Sequence, residues 1–169
     1  MIQHNTDLKA AFFDAVHEGN IWAVEKLLEN EEISQNQDLL LLSLKVAIRA
    51  HQLGIVDKIL SVNGLAQYAA KEDNEALSIA VEIGNLPIVN RLLAFEEVVQ
   101  NLGAINSYGC DIFTVAVFNG QVDIVKRLLE IPEVIAIIKD PEHDAMNWVD
   151  HDEIELMVYQ ALECGNLLH

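Results

Sequence analysis

The chain has 169 residues, of which 51% are hydrophobic, and its 27 acidic against 10 basic residues give a formal net charge of −17. That hydrophobic fraction excludes disorder driven by low hydropathy, and the charge argues against nucleic acid phosphates or anionic membrane surfaces as partners. The length suits one domain, or a short array of repeats sharing one core, and is too short for two ordinary domains.

The segment from Met1 to Asp7 lacks a basic stretch followed by an apolar run, so no signal peptide is visible. The most apolar stretch, Asp38 to Arg49, is interrupted by Ser43 and Lys45 and falls short of the roughly 18 residues of a membrane span, so no membrane insertion is expected. Cys110 and Cys164 have no paired spacing, and a reducing compartment, the cytoplasm, is expected.

The predicted elements form a series. Near residues 8–30, Phe12, Ala15 and Val16 make one apolar face at helical spacing. Gly19-Asn20 then ends the helix where a left-handed backbone is easiest, and Val24, Leu27 and Leu28 mark a second amphipathic helix. Near 40–62 the same register carries Leu44, Ala47 and Ile48, then Val56, Ile59 and Leu60, with His51 in place of the turn glycine. Near 74–95 it carries Leu77, Ala80, Gly84-Asn85, Val89, Leu92 and Leu93, and near 110–131 it carries Phe113, Ala116, Gly120-Gln121, Val125, Leu128 and Leu129. A partial fifth copy near 153–169 has Val158, Ala161 and Gly165-Asn166.

The alanine is small where two helices cross closely. Successive alanines stand 32, 33, 36 and 45 residues apart, so the later intervals hold insertions, the longest over 132–152. Two short helices cannot bury their apolar faces alone, so units must stack. The expected fold is an all-α helix-turn-helix repeat solenoid, about four full repeats and a partial fifth, forming a single domain over 1–169. The fifth unit stops before a second helix, and two explanations stand: further C-terminal repeats of a longer protein, or an end-to-end dimer covering Leu156, Val158 and Leu162.

Gly84-Asn85-x-x-x-Val89-x-x-Leu92-Leu93 and Gly120-Gln121-x-x-x-Val125-x-x-Leu128-Leu129 closely resemble the ankyrin repeat, whose core reads Ala-Ala-x-x-Gly-His-x-x-x-Val-x-x-Leu-Leu. The family's Thr-Pro-Leu-His opening is absent: the matching positions read Ala10-Ala11-Phe12-Phe13, Leu42-Ser43-Leu44-Lys45, Glu75-Ala76-Leu77-Ser78 and Asp111-Ile112-Phe113-Thr114. Regular β-hairpin fingers are therefore not expected. The resemblance implies a non-catalytic protein-interaction module that binds its partner on a concave face.

Carried over residue by residue, the partner-binding positions are the two before each turn: His17 and Glu18, Arg49 and Ala50, Glu82 and Ile83, Phe118 and Asn119, Glu163 and Cys164. Phe118 and Ile83 are the most informative, because a solvated helix face has no need of apolar side chains there. Divergent segments such as Arg127 to Val134 are similar in style to repeats of effectors that intracellular bacteria deliver into host cells. That likeness implies secretion into the host cytosol. With the charge, it implies a host protein of basic surface as partner. An acidic inhibitor or immunity protein that blocks a basic toxin or nuclease fits the charge equally well.

After Lys139 no Lys or Arg occurs, while Asp140, Glu142, Asp144, Asp150, Asp152, Glu153, Glu155 and Glu163 fall there. His143 and His151 among these carboxylates suit a divalent metal in kind. They are not spaced as a pair on one helical turn, however, and the expectation is a solvated acidic loop with no metal and no cofactor. No Gly-x-Ser-x-Gly turn, phosphate-binding glycine loop or His-Glu-x-x-His occurs, and no enzyme is expected. Trp22 and Trp148 are expected to be packing residues.

Overall fold

The computed structural model describes residues 2–71, 74–105, 109–140, 143 and 152–164, and among them every regular element is a helix. The chain forms two compact units, Met1–Glu72 and Asp73–His169. The first holds α1 (Ile2–His17), α2 (Ile21–Leu28), α3 (Glu31–Ser34), α4 (Gln37–Arg49), α5 (Leu53–Leu60) and α6 (Leu65–Lys71). The second holds α7 (Glu75–Glu82), α8 (Leu86–Leu92), α9 (Glu96–Val99), α10 (Ile112–Phe118), α11 (Val122–Leu128), α12 (Pro132–Ile138) and α13 (Asp152–Cys164).

The all-helical repeat fold begins with one turn used four times. The carbonyl of the repeat alanine accepts the N–H of the residue that opens the next helix: Asn20 to Ala15 at 2.9 Å, Gln52 to Ala47 at 2.9 Å, Asn85 to Ala80 at 3.0 Å and Gln121 to Ala116 at 3.0 Å. The preceding residue donates to the carbonyl after the alanine, as Gly84 does to Val81 at 3.0 Å. This pair of bonds closes a helix only if the residue between adopts a left-handed backbone. Gly19, Gly84 and Gly120 do so at φ +73°, +69° and +63°, and His51 does so at +57°. Asn20 and Asn85 also cap the helix that follows, their side-chain oxygens accepting from Ala23 and Ile88 at 3.1 Å.

The turns of neighbouring repeats touch within each unit. A methyl group built on Gly84 would meet the Gln121 amide at 2.6 Å, and one on Gly19 would meet the Gln52 amide at 3.2 Å. Gly84→Ala is expected to lower stability by about 1–2 kcal/mol, chiefly through the left-handed backbone, because the Gln121 amide is flexible and can move aside. Urea unfolding followed by circular dichroism checks this.

The columns of the repeat are the core. Phe12, Leu44, Leu77, Phe113 and Val158 are all buried, as are Val24, Val56, Val89 and Val125. In the first unit α1 packs on α2 and α4, and α4 packs on α5 and α6. In the second, α7 packs on α8 and α10, α10 on α11, and α11 on α8 and α13. Between the helices of the first unit, Lys58 of α5 pairs with Glu25 of α2, and its hydrogen bond holds the Glu25 carboxyl below the ordinary carboxylate range. The pair is solvated and contributes little. That contribution is present above the ordinary carboxylate pKa and is lost as pH falls through the lowered one.

Each helix pair is followed by a third short helix that the repeat pattern did not anticipate: α3, α6, α9 and α12. Each inserts an apolar residue at the same register position into the core, Ile33, Leu65, Val98 and Val134, all 1% exposed or less, and α6 buries Ala69 and Ala70 as well. Asn30 caps α3 by accepting from the Glu32 N–H at 2.9 Å, and Glu31, Glu32, Glu96 and Glu97 in the first turns of α3 and α9 favour the helix dipole. Asn74, buried and left-handed at the start of α7, ties α9 in place by donating to the carbonyls of Val98 and Asn101 at 2.9 and 2.8 Å.

Candidate functional site

The two positions before each turn are the last residue and the C-cap of the first helix of a repeat. In the first unit His17 closes α1 with Glu18 as its next residue, and Arg49 closes α4 with Ala50 as its cap; all four are exposed. Packing of α1 on α4 brings these two pairs to neighbouring turns. They form a polar, mixed-charge edge.

The second unit differs. Glu82 closes α7 and is exposed, while its cap Ile83 is half-buried. In α10 every residue from Ile112 to Val117 is buried, and Phe118 then stands 67% exposed. Asn119 is exposed and donates its side-chain N–H to the Val115 carbonyl at 2.8 Å, so its amide already serves its own helix. The contact of Gln121 with Gly84 puts the Ile83 turn against the Phe118 turn. The result is an apolar tip with a carboxylate beside it. Glu163 is exposed on α13, which packs on α11, and the Cys164 side chain lies outside the described residues.

No cation stands at these turn positions in the second unit. Its only Lys and Arg residues are Arg91, Lys126, Arg127 and Lys139. Arg91 lies over the Phe95 ring at 5.1 Å, and Arg127 donates to the Asn90 side chain at 2.9 Å and reaches Glu130 at 3.5 Å.

Two further residues depart from the sequence reading. Trp22, expected to pack, is 68% exposed at the start of α2, beside Ile21 at 43%. It falls three residues past the turn glycine, outside the helical face that the repeat buries, and Trp148 lies outside the described residues. His143, expected in a solvated loop, is only 10% exposed, and its Nε2 lies 2.7 Å from Asp111 Oδ2. Of the other metal-type residues singled out with it, Asp144, Asp150 and His151 lie outside the described residues, and Asp152 is exposed at the start of α13. Among the described residues no three His, Cys, Asp or Glu side chains come together as a metal would require.

Asp111 caps α10, its Oδ1 accepting the Thr114 N–H at 2.8 Å, while its Oδ2 takes the Thr114 hydroxyl at 3.2 Å. The hydroxyl thus bonds to the carboxylate rather than to the imidazole. Asp111 thereby ties the start of α10 to His143.

No helix among the described residues is long and apolar enough to cross a membrane. No curated protein matches the chain. The family described as ankyrin repeats (3 copies) matches residues 13–138, well over half of the sequence and the span that holds all four left-handed turns. The turn, the alanine column and the match agree, and the chain belongs to the ankyrin-repeat family, whose repeats serve as protein-protein interaction modules.

Proposed function

We propose that this chain is a non-catalytic module that holds a partner of basic surface through the residues preceding its turns: His17, Glu18 and Arg49 in the first unit, and Glu82, Ile83, Phe118, Asn119 and Glu163 in the second. The observation that carries the reading is Phe118, two-thirds exposed at the end of a helix whose other residues are all buried. Covering such a ring on a partner is worth roughly 1.5–3 kcal/mol, and aromatic anchors of this kind dominate interface energies. Glu82 beside it and the net charge of −17 set the sign of the partner.

The reading takes residues 1–169 as one repeat array and, on the style of its repeats, places it in a bacterial effector acting in a host cytosol. The test is retention of proteins from host-cell lysate by the intact chain and by a Phe118→Ala, Ile83→Ala double variant, both checked by circular dichroism. A basic protein is expected to be retained by the first and lost by the second, and salt is expected to slow its association. Equal retention by both would move the site elsewhere. Retention by neither would favour the acidic inhibitor, whose target would then be sought among basic toxins and nucleases.

A further inference from the structure

Helix α13 is apolar on two opposite sides. Ile154 and Val158 are fully buried, with Ala161 and Leu162 half-buried beside them. At about 100° per residue, Leu156 and Tyr159 point the other way, and they are 58% and 54% exposed. Leu156 and Tyr159 thus form an exposed apolar stripe on the side of α13 away from the core.

The charges around the exposed stripe name what covers it. Asp152, Leu156, Tyr159 and Glu163 follow one another at spacings of four, three and four, which is one face of a helix, with Glu155 alongside; the three carboxylates are all exposed. A second copy is a poor occupant. Antiparallel pairing centred between Leu156 and Tyr159 would set Asp152 against Glu163 of the second copy, and parallel pairing would set each carboxylate against itself, so both orders oppose like charges. No Lys or Arg follows Lys139 to offset them.

We infer that the exposed face of α13 is a docking surface for a cationic amphipathic helix, with apolar residues on Leu156 and Tyr159 and Lys or Arg opposite Asp152, Glu155 and Glu163. This is the helix-against-apolar-face mode of recognition, read by anchors at i, i+3 and i+7. It rests on the reading of the chain as a binding module for a basic partner and assigns that module a second surface, which shares only Glu163 with the positions before the turns.

The probe is a synthetic helical peptide of about 14 residues carrying a leucine stripe at that spacing, flanked by lysines. Two controls replace its lysines by glutamate or its leucines by serine. Binding to the intact chain is followed by fluorescence anisotropy at low and physiological salt. The lysine-leucine peptide is expected to bind, less tightly as salt rises, and both controls to fail.

A Leu156→Ser, Tyr159→Ser double variant keeps the net charge yet is expected to weaken binding about tenfold or more. Glu155→Lys with Glu163→Lys is expected to shift preference toward the glutamate peptide. Undiminished binding by the double serine variant, or by the serine peptide, would reduce the interaction to bulk charge and overturn the proposal. So would a dimer in sedimentation equilibrium that the double serine variant abolishes, since a second copy would then be the occupant. Binding lost only in the Phe118→Ala, Ile83→Ala chain would overturn the α13 site and leave the binding-module reading standing. Failure of the peptide to bind at all would also overturn it, leaving the stripe to another segment of the same polypeptide.

Discussion

Phe113→Ala is expected to lower the free energy of unfolding by about 3–5 kcal/mol, the cost of deleting a buried aromatic ring and leaving its cavity. Phe113 is 2% exposed and belongs to the column that Phe12, Leu44, Leu77 and Val158 fill in the other repeats. It lies on α10, between α7 and α11, and its ring stands 6.3 Å from that of His143. Truncation therefore removes contacts between neighbouring repeats as well as within one. The close comparison is Phe118→Ala, five residues along the same helix, where the ring is exposed and the expected change is within about 0.5 kcal/mol. Urea unfolding of both variants beside the intact chain decides the matter. A cost below about 1 kcal/mol at Phe113 would mean that the register of the core is wrong.

The contrast between these two phenylalanines shows what the sequence makes legible. Phe113 and Phe118 are the same residue type on one short helix, and their fates follow from distance to the turn glycine alone. The left-handed backbone at Gly120 fixes the end of the helix, and counting back from it sorts the core column from the residue before the turn. The same count places His51 at the turn despite its side chain, and it adopts φ +57° as the glycines do.

What could not be read depends on single residues rather than on a periodic face. Ile33, Leu65, Val98 and Val134 stand fourteen positions past the turn, each in a short helix of its own. A helix of only one or two turns is too short to show an amphipathic period. Only alignment of the repeats on the turn would have exposed that column. Trp22 fails for the opposite reason, because residue type suggested burial whereas its position, just past the turn, points it outward. The pairing of Asp111 with His143 spans 32 residues, and no local pattern carries such a contact.

Asp111→Ala is expected to cost about 2–4 kcal/mol, more than a helix cap alone. Loss of the cap accounts for about 1 kcal/mol. The remainder comes from the lost hydrogen bond between the carboxylate and the His143 ring, about 1–3 kcal/mol for a bond to a charged group. The carboxylate is itself 6% exposed and serves three donors at once, the Thr114 N–H, the Thr114 hydroxyl and the His143 ring. Asp111→Asn keeps an oxygen for the Thr114 N–H and is expected to cost about half as much, isolating the cap from the pair. His143→Ala in the Asp111→Ala background completes a cycle whose coupling energy is expected at about 1–3 kcal/mol. Coupling near zero would mean that Asp111 only caps α10. Coupling in the expected range would mean that residue 143, far along the chain from the cap, holds the start of the helix that carries Phe118, so that the exposed ring depends on a clamp at the opposite end of its own helix.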